Sequence, residues 1–249
     1  MKLHHVIEGP ADAPVVVFVN SLGATLAMWD EQAAALAGAH RVLRYDQRGH
    51  GASPVPPGPY TIPELVADLL ELLDELGIER AALVGVSLGG AVAMTAALGT
   101  PERFERVALC CTAMRFGEPA TWHERAAAVR AGGMRAVADA VLERWLTPGA
   151  PAPMRERLAA MLHATAPEGY AACCEALAGH DLRGQLGALR LPTLVIAASE
   201  DPSTPPELLQ AIAAEVPGAR LHTIEGSRHI ANIEFTDAFD RALFPFLDG

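Results

Sequence analysis

The chain has 249 residues, a formal net charge of −11, 51% apolar residues and 20% charged residues. That length suits one large domain or a domain carrying an insertion, and that balance builds a sizeable core and excludes a disordered chain. The negative charge argues against nucleic acid or an anionic membrane as partner, no apolar run is long enough to span a bilayer, and residues 1–5 lack the apolar centre of a signal peptide, so cytoplasmic residence is expected.

Four cysteines fall as two adjacent pairs, Cys110-Cys111 and Cys173-Cys174, a spacing that suits neither a disulfide nor a C-x-x-C metal site. Buried thiols in a reducing compartment are the expectation. An anionic substrate would meet an opposing overall field, so local arginines would have to attract it.

In chain order, His5-Val6-Ile7-Glu8 predicts a short strand closed by a Gly9-Pro10 turn. Val15-Val16-Val17-Phe18-Val19 is continuously apolar, as in a strand covered on both faces, and ends in Asn20-Ser21-Leu22-Gly23-Ala24. A short helix is expected over 28–36. Arg41-Val42-Leu43-Arg44-Tyr45-Asp46 predicts the next strand, which opens into Gln47-Arg48-Gly49-His50-Gly51-Ala52-Ser53. There Asp46 and Arg48 read as braces that satisfy backbone groups rather than as chemistry. After a proline-rich loop, Thr61 caps a helix with Glu64 three residues on. Leu65, Leu69, Leu72, Leu73 and Leu76 form its apolar stripe, and Gly77 ends it.

Ala81-Ala82-Leu83-Val84 then climbs into Gly85-x-Ser87-x-Gly89 and gives way to small, helix-favouring residues. That is strand, sharp turn and helix, a context that exposes a serine on strained backbone and needs glycines where main chains pass closely. It marks Ser87 as a nucleophile; a purely structural turn is the bland alternative. The helix runs to about residue 98 and a strand is expected over 106–111. From 117 to 187 strand signals vanish, and helical patterns are broken by Gly132-Gly133, Thr147-Pro148-Gly149 and Ala166-Pro167. Strand patterns return over 191–198 and 221–224, with helices expected over 205–216 and 235–246. This alternation predicts an α/β fold, a mostly parallel twisted sheet flanked by helices. Its core would be residues 1–116 and 188–249, with 117–187 inserted as a helical lid.

This organisation resembles the α/β-hydrolases, whose site follows the order nucleophile, acid, histidine. On that pattern Asp201, just past the strand over 191–198, is the acid, and its neighbour Glu200 the rival; Asp181 and Asp237 follow no strand end. His229, in Gly226-Ser227-Arg228-His229-Ile230, is the base, whereas His50 would break the order. The resemblance assigns the oxyanion hole to the backbone N–H groups of Leu22 and Leu88, with Leu22 as a plain loop residue the alternative. Ser87 alone is a poor nucleophile at neutral pH. His229 must take its proton, and Asp201 must fix the imidazole tautomer.

More narrowly, the chain is similar nearly end to end to the 3-oxoadipate enol-lactonases. The matching stretches include Asn20-Ser21-Leu22-Gly23, Arg44-Tyr45-Asp46-x-Arg48-Gly49-His50-Gly51, Gly85-x-Ser87-x-Gly89-Gly90 and Asp201-Pro202-x-Thr204-Pro205-Pro206. In the lid they include Trp122 with Glu124-Arg125, Val129-Arg130-Ala131-Gly132-Gly133-Met134, Glu143-Arg144-Trp145 and Glu168-Gly169-Tyr170. Departures are mild: Leu88 stands where methionine is common, and Ile230-Ala231-Asn232 where serine and asparagine are frequent. The resemblance implies ring opening of a small anionic lactone in aromatic-acid breakdown (the β-ketoadipate pathway), through an acyl-enzyme and without metal or organic cofactor. The substrate carboxylate wants a cation. Arg144 beside Trp145 is the first choice, Arg130 and Trp122 further candidates, and Arg115, Arg125 and Arg135 lie in the same segment. For each arginine a solvated position is the blander reading, and for each tryptophan lid packing. Other functions to weigh are a general carboxylesterase, another small-ester or carbon–carbon hydrolase, and a non-catalytic receptor. Dehalogenation is disfavoured because the turn carries Ser87 rather than aspartate.

Overall fold

The computed structural model describes residues 1–249 and gathers seven strands into one sheet. They are β1 His5–Glu8, β2 Val15–Val19, β3 Arg41–Tyr45, β4 Ala81–Val86, β5 Phe104–Cys110, β6 Thr193–Ala198 and β7 Arg220–Ile224. The sheet order is β1-β3-β2-β4-β5-β6-β7; β1 runs antiparallel to β3 and every other pairing is parallel. Every residue of β4 and β6 is buried, which is why both read as unbroken apolar runs.

The core helices are α1 Asp30–Leu36, α2 Ile62–Glu75 and α3 Leu88–Gly99. Four more, α4 Pro119–Gly132, α5 Ala138–Trp145, α6 Ala152–Ala164 and α7 Pro167–Ala178, fall between β5 and β6. The chain closes with α8 Pro206–Glu215, α9 Ala231–Glu234 and α10 Thr236–Asp248. At α2 the Thr61–Glu64 capping box is formed in both directions, and the C-cap gives way to Gly77 at φ 64°. Leu65, Leu69, Leu72 and Leu73 are buried along one stripe. Differences from the expected elements sit at ends: a 3-10 turn, Leu26–Trp29, precedes α1, and α9 forms ahead of the closing helix.

Two features place the site. Connections leave the central strands in opposite directions: β2 leads to β3 on one side and β4 begins the march to the other. The crevice beyond the carboxyl ends of β2 and β4 is therefore where a ligand fits. Second, the chain leaves for α4–α7 and returns from them side by side. Arg115 bridges Asp181, and the Leu182 N–H donates to Met114 O at 2.9 Å. The helical segment thus sits on the strand ends as one loop. Its seat is close: a Cβ added to Gly49 would lie 2.5 Å from the Gly169 Cα.

Candidate active site

Ser87 follows β4 directly and holds φ 58° and ψ −114°, a left-handed backbone that a residue with a Cβ adopts at a cost of about 1–3 kcal/mol. Its neighbours over-determine the turn. The Ser87 N–H donates to Cys110 O at 3.0 Å, and the Thr112 hydroxyl donates to Ser87 O at 2.8 Å. Side chains at 85 and 89 are excluded: a Cβ on Gly85 would lie 2.2 Å from Gly89 O, and one on Gly89 2.2 Å from Val19 O. The glycines of the motif are there because the α3 start packs against its own strand and against the end of β2.

Asp201 lies in the loop after β6, buried, and its carboxylate is saturated. It accepts the Ser203 N–H at 2.7 Å, the Thr204 N–H at 3.1 Å, the Thr204 hydroxyl at 2.6 Å and the His229 Nδ1 proton at 2.7 Å. Burial pushes the Asp201 pKa up, but the His229 charge and these hydrogen bonds outweigh it and hold the group below its usual value. With Nδ1 engaged, the remaining nitrogen of His229 is free for proton transfer. The rival Glu200 is exposed, and Asp181 is turned to Arg183.

Ser87 and His229 line one cavity with Ser21, Leu22, Ser203 and Thr204 from the strand ends. Phe116, Trp122, Arg125, Val141, Arg144, Trp145 and Tyr170, from β5's exit and the helical segment, complete it. Leu22 N–H has no intramolecular partner, and Leu88 N–H is the first of α3, unpaired within the helix by geometry. Both are the kind of donor that a developing oxyanion needs.

The cavity is acidic in no part of its helical roof. Arg125 and Arg144 line it, and neither has a carboxylate within 4 Å. The Arg125 guanidinium sits over the Trp122 ring, 4.7 Å from its centre. Burial, then the neighbouring Arg125 charge, lowers the Arg144 pKa. Two uncompensated guanidinium groups sharing a partly closed cavity make a site for an anion. Trp122 and Trp145 both wall it.

Arg130 departs from expectation. It is exposed, lies outside the cavity, and is held by Glu168 at 2.9 Å and Glu175 at 2.6 Å, so its charge is spent on tying α4 to α7. Arg48 also differs: it braces the fold not through backbone groups but through Asp68 of α2, at 2.7 Å, beneath the Tyr60 ring. Asp46 does brace backbone, accepting from Leu26 N–H at 2.7 Å and Ala52 N–H at 3.0 Å. Arg125, named from the sequence only among the segment's other arginines, lines the cavity where Arg130 does not. The signal was present, since Arg125 lies three residues after Trp122 and shares its helix face. All four cysteines are buried and unbonded, and no helix is long and apolar enough to cross a membrane.

The model of the alpha/beta hydrolase family matches residues 14–242. The chain is 41% identical to 3-oxoadipate enol-lactonase 2 of Acinetobacter baylyi, over 98% of this chain and 92% of that one. It superposes on the crystal structure of the enol-lactonase from Burkholderia xenovorans LB400 with a TM-score of 0.94 and 43% identity, covering 99% and 96% of the two chains. It is also 32% identical, over 99% of this chain and 96% of that one, to a protein of Variovorax paradoxus named for carbamate hydrolysis, RutD.

Proposed function

Because the chain belongs to the alpha/beta hydrolase family and is a hydrolase, we propose that it opens the ring of 3-oxoadipate enol-lactone to give 3-oxoadipate, within aromatic-acid breakdown by the β-ketoadipate pathway. One observation carries this reading beyond the family: a single cavity holds Ser87, His229 and two guanidinium groups with no carboxylate of their own. A general carboxylesterase has no use for that pair, while a lactone bearing an acetate group does. The similarity to enol-lactonases supports the same substrate.

Ser87 Oγ attacks the lactone carbonyl as His229, oriented by Asp201, takes the hydroxyl proton. The carbonyl oxygen becomes an oxyanion held by the Leu22 and Leu88 N–H groups. Collapse breaks the ring C–O bond and expels an enolate, a better leaving group than an alkoxide, which His229 protonates; the enol then becomes a ketone. The acyl group stays on Ser87 until water, deprotonated by His229, attacks it and releases the second carboxylate. Arg125 and Arg144 hold the acetate carboxylate through both halves. Residues 117–187 act as a lid that contributes the walls of the pocket rather than the reacting groups. The four unbonded thiols suit the cytoplasm.

The test is loss of lactone ultraviolet absorbance, run beside simple aryl esters and a carbamate. Strong preference for the lactone, abolished in Ser87→Ala, is the expected result. Equal or faster rates on the esters or carbamate would refute the substrate while leaving the hydrolase.

A further inference from the structure

The Leu22 donor belongs to a tight turn whose shape is set by a residue from another loop. Ala24 N–H donates to Ser21 O at 3.1 Å, closing the turn Ser21-Leu22-Gly23-Ala24, and Gly23 at φ 82° occupies the position that requires a left-handed residue. The peptide joining Ser21 to Leu22 is planar and trans, so its C=O and N–H point in opposite directions. With the carbonyl committed to Ala24, the Leu22 N–H is turned away from the turn, and it has no partner in the protein. The next peptide, joining Leu22 to Gly23, is the plane that reverses when such a turn changes type.

That plane is pinned by His50. The Gly23 N–H donates to His50 Nε2 at 2.9 Å. A backbone N–H can only donate, so Nε2 must carry its lone pair and the ring proton must sit on Nδ1, which donates to Arg48 O at 3.2 Å. His50 is 1% exposed, and burial lowers its pKa against the opposing pull of the Arg48 carbonyl and the Asp46 charge, so the ring stays neutral and the lone pair available. No side chain at position 23 could replace it. A Cβ at Gly23 would lie 2.8 Å from Leu162 Cδ2, and Gly23 O is already engaged by the Thr165 hydroxyl at 3.2 Å.

We propose that His50 is a positioning residue for the oxyanion hole, fixing the Leu22 donor by accepting the neighbouring Gly23 N–H. The proposal rests on the assignment of Leu22 N–H to that hole. Removing the acceptor leaves a buried N–H unpaired, and its relief is rotation at Leu22 ψ and Gly23 φ, which strains the Ser21–Ala24 turn that holds the Leu22 donor.

Two polar variants separate this role from mere packing. In His50→Gln the longer amide returns an acceptor to the place of Nε2; in His50→Asn the amide falls short of Gly23. The readouts are kcat and KM on the fastest substrate of the panel above, and affinity for a small alkylboronic acid, which forms a tetrahedral adduct on Ser87. The carboxylic acid product serves as ground-state ligand. A complete loss of one oxyanion donor lowers kcat about 10²–10³-fold. For a displaced donor His50→Asn is expected to lower kcat and boronate affinity together by about 10–100-fold, with KM and product affinity within about twofold. His50→Gln is expected to stay within about threefold of wild type in both. Wild-type kcat in His50→Asn, a kcat loss without a boronate loss, or equal losses in the two variants would overturn the proposal. Should His50→Asn fail to fold by thermal melting, a folded His50→Gln decides: values within threefold support the role, and a tenfold loss overturns it. Ser87→Ala binding the boronate as tightly as wild type would overturn the adduct on Ser87, hence the nucleophile from which the oxyanion hole is assigned, and with it the part given to His50.

Discussion

Replacing Arg125 and Arg144 together by methionine keeps the volume of the cavity roof and removes both of its charges. A hydrogen bond to a charged group contributes about 1.5–3 kcal/mol. Both side chains are half-buried and the cavity is open to solvent on one side, so the lower end applies, about 1.5 kcal/mol or tenfold for each. The two serve one carboxylate, so their losses overlap, and the double variant is expected to lose between about tenfold and 100-fold in kcat/KM for the lactone. Most of the loss should appear in KM, because the acetate group is remote from the reacting carbonyl and is bound equally before and during reaction. The assay pairs the lactone with an uncharged aryl acetate, whose kcat/KM should move by less than about twofold. Arg130→Met is the control, expected to leave KM unchanged because Arg130 faces Glu168 and Glu175 instead of the cavity. A double variant that hydrolyses the lactone within twofold of wild type would refute the carboxylate site. Equal losses on both substrates would show that the arginines merely hold the roof in place.

Three further outcomes are expected. Ser87→Ala and His229→Ala should each lower the lactone rate by about four to six orders of magnitude and Asp201→Asn by somewhat less, measured at enzyme concentrations high enough to see the residual rate. Buried His180, its Nε2 without a partner and its ring against Phe116, has its pKa lowered by burial from 6.5 to about 4. Between those two values the unfolded chain binds the proton and the native one does not, so acid destabilises the fold by up to about 3 kcal/mol through this group. His180→Leu should flatten that part of the urea-unfolding profile between pH 7 and 4, and an unchanged slope would remove His180 as its source. Finally, Gly49→Ala places a methyl on backbone at φ 79° and 2.5 Å from Gly169 Cα, so it should cost about 1–3 kcal/mol and lower the thermal midpoint. A neutral effect would mean that the helical segment shifts freely on its seat.

What was legible in the sequence was what a short stretch of chain demands of itself. The turn at Ser87 is visible because Gly85 sits where no Cβ fits, and the atom that excludes it, Gly89 O, belongs to the same turn. The Thr61–Glu64 box closes within four residues, and Val15–Val19 shows its two-sided burial in its own composition. What stayed hidden depends on partners brought together by folding. Arg48 reads like a loop brace until α2 supplies Asp68, and His50 looks idle until the β2 loop delivers Gly23 N–H.

The helical segment shows both cases within a few residues. Arg144 and Trp145 are adjacent, about 100° apart around a helix, which makes a shared orientation look doubtful. Yet Val141, Arg144 and Trp145 all line the cavity, and their spacing is i, i+3, i+4, one face of α5 wide enough to hold both. The same count joins Trp122 to Arg125 on α4. Arg130 lies five residues beyond Arg125 and is turned roughly 140° from it, onto the face where Glu168 and Glu175 of α7 meet it. Charge alone does not tell the lid arginines apart, and the adjacent Trp145 singled out only Arg144. Helical phase and pairing separate them: Arg125 and Arg144 share a face with a pocket-lining tryptophan or valine and have no carboxylate, Arg115 and Arg130 are held by Glu118 and by Glu168 with Glu175, and Arg135 lies outside the cavity.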